Sequence, residues 1–277
     1  MLKDKYILIT GAAGSIGSEL SRQLAKENHV YAVDINETDL FDLYEELKIA
    51  GTPIKTRVGD IRNKETVEDI FNGDMIPEIV IHAAAYKHVS PMELDPIEAV
   101  NTNIIGTNNL VRMSKKRGSQ LLFISTDKVV NSESIMGLTK KIAERIVQNA
   151  GYISVRFGNV LGSRGSVIPI WQKQIDNNQP LTVTDPKMQR YFMTIEEACR
   201  LVIEACEVGE PGQKIILDMG EQHNILELAK EILKKSGKDL EIKIIGAKPG
   251  ETLQERLMNE DEEKRAIKKE NYWIIPA

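Results

Sequence analysis

Cysteine and histidine are scarce, two and four in 277 residues, and they are scattered without metal-ligand spacing. That excludes a disulfide framework and a Cys/His metal site as organising features. Cys199 and Cys206 stand seven apart in the helical pattern TIEEACRLVIEAC. At ~1.5 Å rise per residue their Cα atoms lie about 10 Å apart, too far for a disulfide, so they are expected as small core residues. No apolar run approaches the ~18 residues that a membrane helix needs. The opening MLKDKYILIT is too short in apolar residues for a signal peptide and runs straight into GAAGSIG. It reads as a buried first strand, and the expected setting is cytoplasmic, with no membrane partner. A basic excess is also missing: Lys+Arg 36 against Asp+Glu 41 gives -5, which argues against a nucleic-acid partner but leaves room for a local basic pocket around a phosphate-bearing ligand. What is present, 42% hydrophobic and 28% charged residues with 19 Gly and 10 Pro, excludes disorder, collagen and coiled coil. The length fits one large α/β domain, alone or with a small appendage.

Short apolar runs alternate with helical patterns through the first two-thirds of the chain. Expected strands are Tyr6–Thr10, Val30–Val33, Ile54–Val58, Ile79–His82, Gln120–Ser125 and Ile153–Arg156, with helix stripes such as Ile16, Leu20, Leu24 and Ile97, Val100, Ile104 between them. Strands apolar throughout, alternating with helices, predict a Rossmann-like doubly wound parallel sheet covered on both faces. Lys214–Leu217 is a candidate edge strand of that sheet. From about Glu221 the pattern reads as two helices, a strand over Leu240–Ile244, a KPGET loop and a charged tail, NEDEEKRAIKKE, expected as a solvated helix. The α/β fold is thus expected to carry a small C-terminal substrate-binding domain. Residues 1–158 with about 188–220 would form the dinucleotide-binding part, and about 159–187 with 221–277 the other.

Gly11-Ala-Ala-Gly14-Ser15-Ile16-Gly17 follows the first strand and opens the first helix. Glycines there permit a tight turn, close approach of backbone to a pyrophosphate and close helix–strand packing, while the helix N-terminus offers free N–H groups to the anion. The spacing is GxxGxxG rather than GxGxxG, so the context carries the reading. Asp34 ends the second strand, 20 residues beyond Gly14. An acid there accepts hydrogen bonds from an adenosine ribose and repels a 2′-phosphate, favouring NAD over NADP. Its plainer alternative is a loop acid or helix cap.

Other polar stretches fall at strand ends: GDIR with Asp60 and Ile61, HAAAYKHVSPME with Ala83 and Ala84, STDKVV and RFGNVLGSRGSV. In a doubly wound sheet those C-terminal ends line one crevice. Here the chain resembles the extended short-chain dehydrogenase/reductase superfamily, and within it the capsular nucleotide-sugar 4,6-dehydratases acting on UDP-N-acetylglucosamine. The resemblance runs from about Lys5 to Glu255 and rests on GAAGSIGSEL, VDINETDLFDLYEEL, GDIR, HAAAYKHVSPMELDPIEAVNTNIIGT, STDKVVNSESIMGLTK, RFGNVLGSRGSVIP, PLTVTDPKMQRYFMTIEEA and KPGET.

The superfamily pattern is Tyr-x-x-x-Lys, and this chain has Met136-Gly-Leu-Thr-Lys140. Lys140 matches the lysine that bonds the nicotinamide ribose; Met136 cannot take a proton. The capsular dehydratases are similar in carrying Met there with a Thr-Asp-Lys triplet, matched by Thr126, Asp127 and Lys128. The resemblance implies a redox-neutral reaction. NAD takes hydride from sugar C4, neutral Lys128 removes the C5 proton, protonated Asp127 protonates the departing C6 hydroxyl, and hydride returns to C6. By the same resemblance Lys87 and His88 face the sugar, Asn159 and Arg164 the diphosphate, Arg190 the uridine and Glu251 its ribose. Met188, Tyr191 and Phe192 are expected in the core and His82 as a satisfied buried histidine. The VDINETDLFDLYEEL segment is closer to the NAD-using branch that retains the C5 configuration, and relatives imply a homo-oligomer. Two other readings stay open: a UDP-N-acetylhexosamine 4-epimerase of the same fold, and a non-catalytic dinucleotide-sensing module for which the missing tyrosine would speak. Asp127–Lys128 could also be a plain surface ion pair.

Overall fold

The computed structural model describes residues 2–277. A nine-stranded sheet runs in the order 267–268, 272–275, 214–217, 153–156, 120–124, 79–82, 6–10, 29–34 and 55–58. The seven strands from 214–217 to 55–58 are parallel neighbours. The order reverses between Tyr6–Thr10 and Ile79–His82, which opens a crevice at their C-terminal ends.

Successive residues on these strands feed opposite faces, as a period of two requires. Ile7, Ile9, Val30, Ala32, Ile79 and Ile81 pack into one core. Leu8, Tyr31, Val33, Val80, Leu121 and Phe123 pack into the other. Burial on both sides explains why these strands are apolar without alternation. A third core, around Trp171, Leu181, Met188 and Ile225, holds a smaller unit built from the Val167–Asp176 and Ile225–Ser236 helices and the paired strands Leu181–Val183 and Ile242–Ile244. A three-stranded sheet of 222–224, 189–193 and 159–160 joins the two units.

Strand boundaries move by a residue or two at several ends; Ile54, Ser125 and Leu240 lie outside their strands. Two larger differences need a physical reason. The stripe Ile97, Val100, Ile104 is not the buried one: Ile97 is 67% exposed. A π-helical stretch over Val100–Gly106 adds a residue per turn and rotates Asn103, Gly106 and Thr107 inward instead. The charged tail is helical only over Glu260–Arg265, and its Glu262 is buried. Beyond it the chain forms Ile267–Lys268 and Tyr272–Ile275, which pair antiparallel on the edge of the large sheet beside Lys214–Leu217. Cys199 and Cys206 are buried and free on the Ile195–Val208 helix. Among the described residues no helix is long and apolar enough to cross a membrane.

Candidate active site

Gly11 adopts φ +69, and a Cβ on it would sit 2.6 Å from Ala84 Cα; a Cβ on Gly17 would sit 2.1 Å from the Gly11 carbonyl oxygen. Backbone cannot yield at those distances, so the loop is closed by the absence of side chains. Gly14 caps the Ser15–Leu24 helix, whose first N–H groups are left to a ligand. Asp34 accepts from Ala13 N and Asn36 N, both at 2.9 Å. It is not the cap of the following helix, a place taken by Asn36. With Gly11, Gly14, Asp60, Ile61, Ala83 and Ala84 it lines a cavity of about 280 Å³. The bare loop, helix start and carboxylate suit a dinucleotide with a free ribose.

Two arginines also reach that cavity, which the sequence alone does not reveal. Arg62 is paired with Asp60 at 2.7 Å and Glu98 at 2.6 Å. The Arg164 guanidinium donates to the Ala13 carbonyl and pairs with Asp39, and its backbone N–H donates to Ser15 Oγ at 3.0 Å. Arg164 thus lies across the glycine loop, and it also lines the cavity that Lys128 and Asn159 reach.

A cavity of about 550 Å³ continues from the glycine loop, past Ser15, Ile16 and Gly17, to Thr126, Met136 and Lys140. Ser134 Oγ caps the Ile135–Asn149 helix by accepting from Gly137 N at 3.1 Å, which points Met136 and Lys140 at the strand ends. Met136 is buried against Met92 and Ala99. The Lys140 amine donates to the Ile124 carbonyl and lies 4.0 Å over the Phe123 ring. Burial pulls its pKa down to about 7 although Glu144 opposes the shift. His82 is fully buried, with Nδ1 2.8 Å from Thr10 Oγ1 and Nε2 2.9 Å from Thr107 Oγ1; burial, then Lys140, lowers its pKa to about 3, so it is neutral.

A second cavity, about 520 Å³, meets this one at Lys87, His88, Lys128 and Asn159 and extends to Arg190 and Glu251. Thr126 Oγ1 donates to Asp127 Oδ1 at 2.9 Å. Lys128 Nζ lies 3.1 Å from that same oxygen, 2.9 Å from Glu255 Oε2 and 3.3 Å from Asn159 Oδ1. Burial would lower the Lys128 pKa, but the two carboxylates outweigh it and push it up to about 12. The two carboxylates thus favour the ammonium form of Lys128, whereas the expected proton abstraction requires its neutral amine. The Asp127 pKa is also raised, to about 7, because burial and the Glu255 charge outweigh Lys128. Lys87 and His88 stay open to solvent on one side; packing into the wall and nearby cations lower both pKa values. Arg190 donates to the Thr252 carbonyl at 2.8 Å, and Glu251 accepts from Lys248 N at 3.0 Å. Of the three residues expected in the core, Met188 is buried in the small unit and Phe192 packs beside it; both also line this cavity. Tyr191 packs against the first core.

Glu255 is the residue that sequence reasoning missed. It is 6% exposed, bonds Lys128, and sits 3.3 Å from Arg190 Nε. The only hint was its place four residues after Glu251, and a loop has no periodicity to say where a side chain points. Among the described residues no cluster of His, Cys, Asp and Glu could hold a metal ion.

Residues 7–277 match the family described as polysaccharide biosynthesis protein. The capsular polysaccharide biosynthesis protein CapD of Staphylococcus aureus is 43% identical over 94% of this chain and 46% of its own length. The chain thus spans about half the length of the first curated relatives it matches. A UDP-glucose 4-epimerase of Rickettsia bellii is 34% identical over 100% of this chain and 84% of its own. Among solved structures, Pen from Bacillus thuringiensis superposes with a TM-score of 0.94 at 36% identity, covering 99% of this chain and 88% of that one. The UDP-glucose 4-epimerase of Thermus thermophilus, in complex with NAD, gives 0.76 at 25% identity and covers 88% of each.

Proposed function

Since the chain belongs to the polysaccharide biosynthesis protein family, we propose that it is an NAD-dependent 4,6-dehydratase of UDP-N-acetylglucosamine. The product is a UDP-4-keto-6-deoxy-N-acetylhexosamine with C5 configuration retained. One observation carries the reading: Lys128 lies where the two cavities meet with Asp127 bonded to it, and the head of the next helix offers Met136 in place of a proton carrier. The large-sheet strand ends hold the dinucleotide, and the small unit of about 159–187 and 221–258 closes over the sugar nucleotide; residues 260–277 go with the large sheet. A working homo-oligomer in the cytoplasm is part of the same proposal.

NAD bound in the glycine cradle supplies a hydride acceptor for C4 and a hydride donor for C6. Asp34 takes its ribose hydroxyls, with Asp60 and Ile61 beside the adenine, and Lys140 bonds the nicotinamide ribose. The C4 hydroxyl proton leaves through Thr126 or water as C4 becomes a ketone, the ketone acidifies the C5 hydrogen, and the proton that Lys128 takes from C5 is given back to C5 when C6 gains hydride. Lys128 takes that proton after substrate has come between its amine and Glu255, which releases the ammonium proton to solvent. Asp127, protonated by its burial, delivers its proton to the C6 hydroxyl. Thr126 orients Asp127 through the bond to Oδ1. Lys87 and His88 flank the sugar, Asn159 holds Lys128, and Arg190 and Glu251 meet the uridine end.

The epimerase reading draws on the Rickettsia relative, matched along the whole of this chain. Incubation with UDP-N-acetylglucosamine decides between them by mass spectrometry. Loss of one water supports dehydration, an unchanged mass with a 4-epimer supports epimerisation, and no change supports a binding module.

A further inference from the structure

Glu255 reaches the site from a loop remote from the strand ends that supply its neighbours. Gln222 Nε2 donates to its carbonyl at 2.7 Å, and Arg156 donates to the Leu257 carbonyl at 2.8 Å, so the segment is pinned on both sides. Its carboxylate faces the Lys128 ammonium at 2.9 Å and the Arg190 guanidinium at 3.3 Å. Asp127 faces the same ammonium at 3.1 Å, and Lys87 is the next cation beyond it. Both carboxyl groups are buried. Asp127 Oδ2 has no donor, and Gly158 packs so close that a Cβ there would sit 3.1 Å from it. A buried carboxylate oxygen without a donor is costly when charged, and a second carboxylate on the same ammonium raises that cost.

We propose that Asp127 and Glu255 form a carboxyl pair that holds one proton on Asp127 Oδ2, with Glu255 the positioning residue that keeps it there for the departing C6 hydroxyl. The last clause rests on the dehydration reading; the pairing does not. In that step the Asp127 proton passes to the C6 oxygen and the C6–O bond breaks with its electrons leaving on water. The C5–H electrons become the C5–C6 double bond, and the C5 proton goes to the Lys128 amine. Asp127 is left as a carboxylate, its negative charge balanced by the new ammonium.

The test titrates the infrared carbonyl band of protonated Asp127 in the ligand-free protein, assigned by its loss in Asp127→Asn. The midpoint is expected at about 7. Glu255→Gln removes the repelling charge and lowers it by about one pH unit or more, while Glu255→Asp, which withdraws the charge by one methylene, lowers it by a smaller step. Water loss from UDP-N-acetylglucosamine by Glu255→Gln falls about tenfold at alkaline pH and recovers below the new midpoint. An unmoved midpoint in both variants, or activity lost equally at every pH, overturns the proposal and leaves Glu255 a structural anchor. A shared proton in a protein that does not release water upholds the pair and sinks the dehydration reading instead.

Discussion

At the scale of single residues, the proposed mechanism divides the Thr-Asp-Lys triplet into an acid, Asp127, and a base, Lys128, and the burial and neighbouring charges of the site together raise the pKa of both. Asp127→Asn is expected to keep C4 oxidation and deuterium uptake at C5 while water loss drops by about 10²–10⁴, the usual cost of a positioned acid. Lys128→Met should stop both exchange and water loss with cofactor binding intact. NMR of C5 deuteration in heavy water reads both. Exchange that survives in Lys128→Met would make Lys128 an orienting cation, the role its ammonium state in this structure already suits. In the proposed reading Asp34 sets cofactor choice. Arg62 and Arg164 line the same cavity but are engaged by Asp60, Glu98 and Asp39, leaving the Asp34 carboxylate to confront a 2′-phosphate. Asp34→Ala with Ile35→Arg should shift the NAD-to-NADP affinity ratio by about tenfold or more, a change of about 1.4 kcal/mol; equal affinities in the unaltered protein would refute the assignment.

At the scale of elements, the charged tail is an anchor. Glu262 caps its own helix through Asn259 and enters a buried cluster: Arg156 pairs with Glu144 and Glu262, both at 2.7 Å, and Lys214 contacts both carboxylates. Ser125 Oγ donates to Glu144 at 2.5 Å, linking the cluster to the strand end before Thr126. Arg156→Met leaves Lys214 alone to face two buried carboxylates and is expected to destabilise by about 3–5 kcal/mol in urea unfolding. Burial would raise the Glu262 pKa, but Arg156 and Lys214 outweigh it and hold it down to about 2. A depressed folded-state value means stability that is complete above the ordinary 4.5 and is lost as pH falls toward 2. The variant should therefore begin its acid unfolding at higher pH than the parent. An identical acid midpoint would show that the cluster contributes nothing through ionisation.

At the scale of the whole molecule, the proposed reaction depends on two cavities that meet at Lys128. A hydride that leaves C4 and returns at C6 of the same sugar produces no net reduced cofactor. Adding UDP-N-acetylglucosamine should give product with catalytic NAD and no lasting rise in absorbance at the NADH band. Stoichiometric NADH release would identify a simple dehydrogenase.

The sequence by itself determined the parallel sheet, because strands buried on both faces must be apolar throughout and the chain shows this from Tyr6 to Arg156. The tight glycine loop after the first strand was legible too, and Gly11 and Gly17 stand where any Cβ would meet backbone. Local periodicity and turn chemistry carry that much. Only the tertiary structure decided the return of the charged tail to the sheet edge, the inward turn of Asn103 through a π-helical register, the position of Arg164 across the glycine loop and the arrival of Glu255 beside Asp127. Each of these depends on groups far apart in the chain, and a charged side chain carries no local sign of whether it will meet water or an opposite charge. The proton state of the Asp127–Lys128–Glu255 cluster follows from that packing, because burial and neighbouring charge, not residue type, set its pKa values.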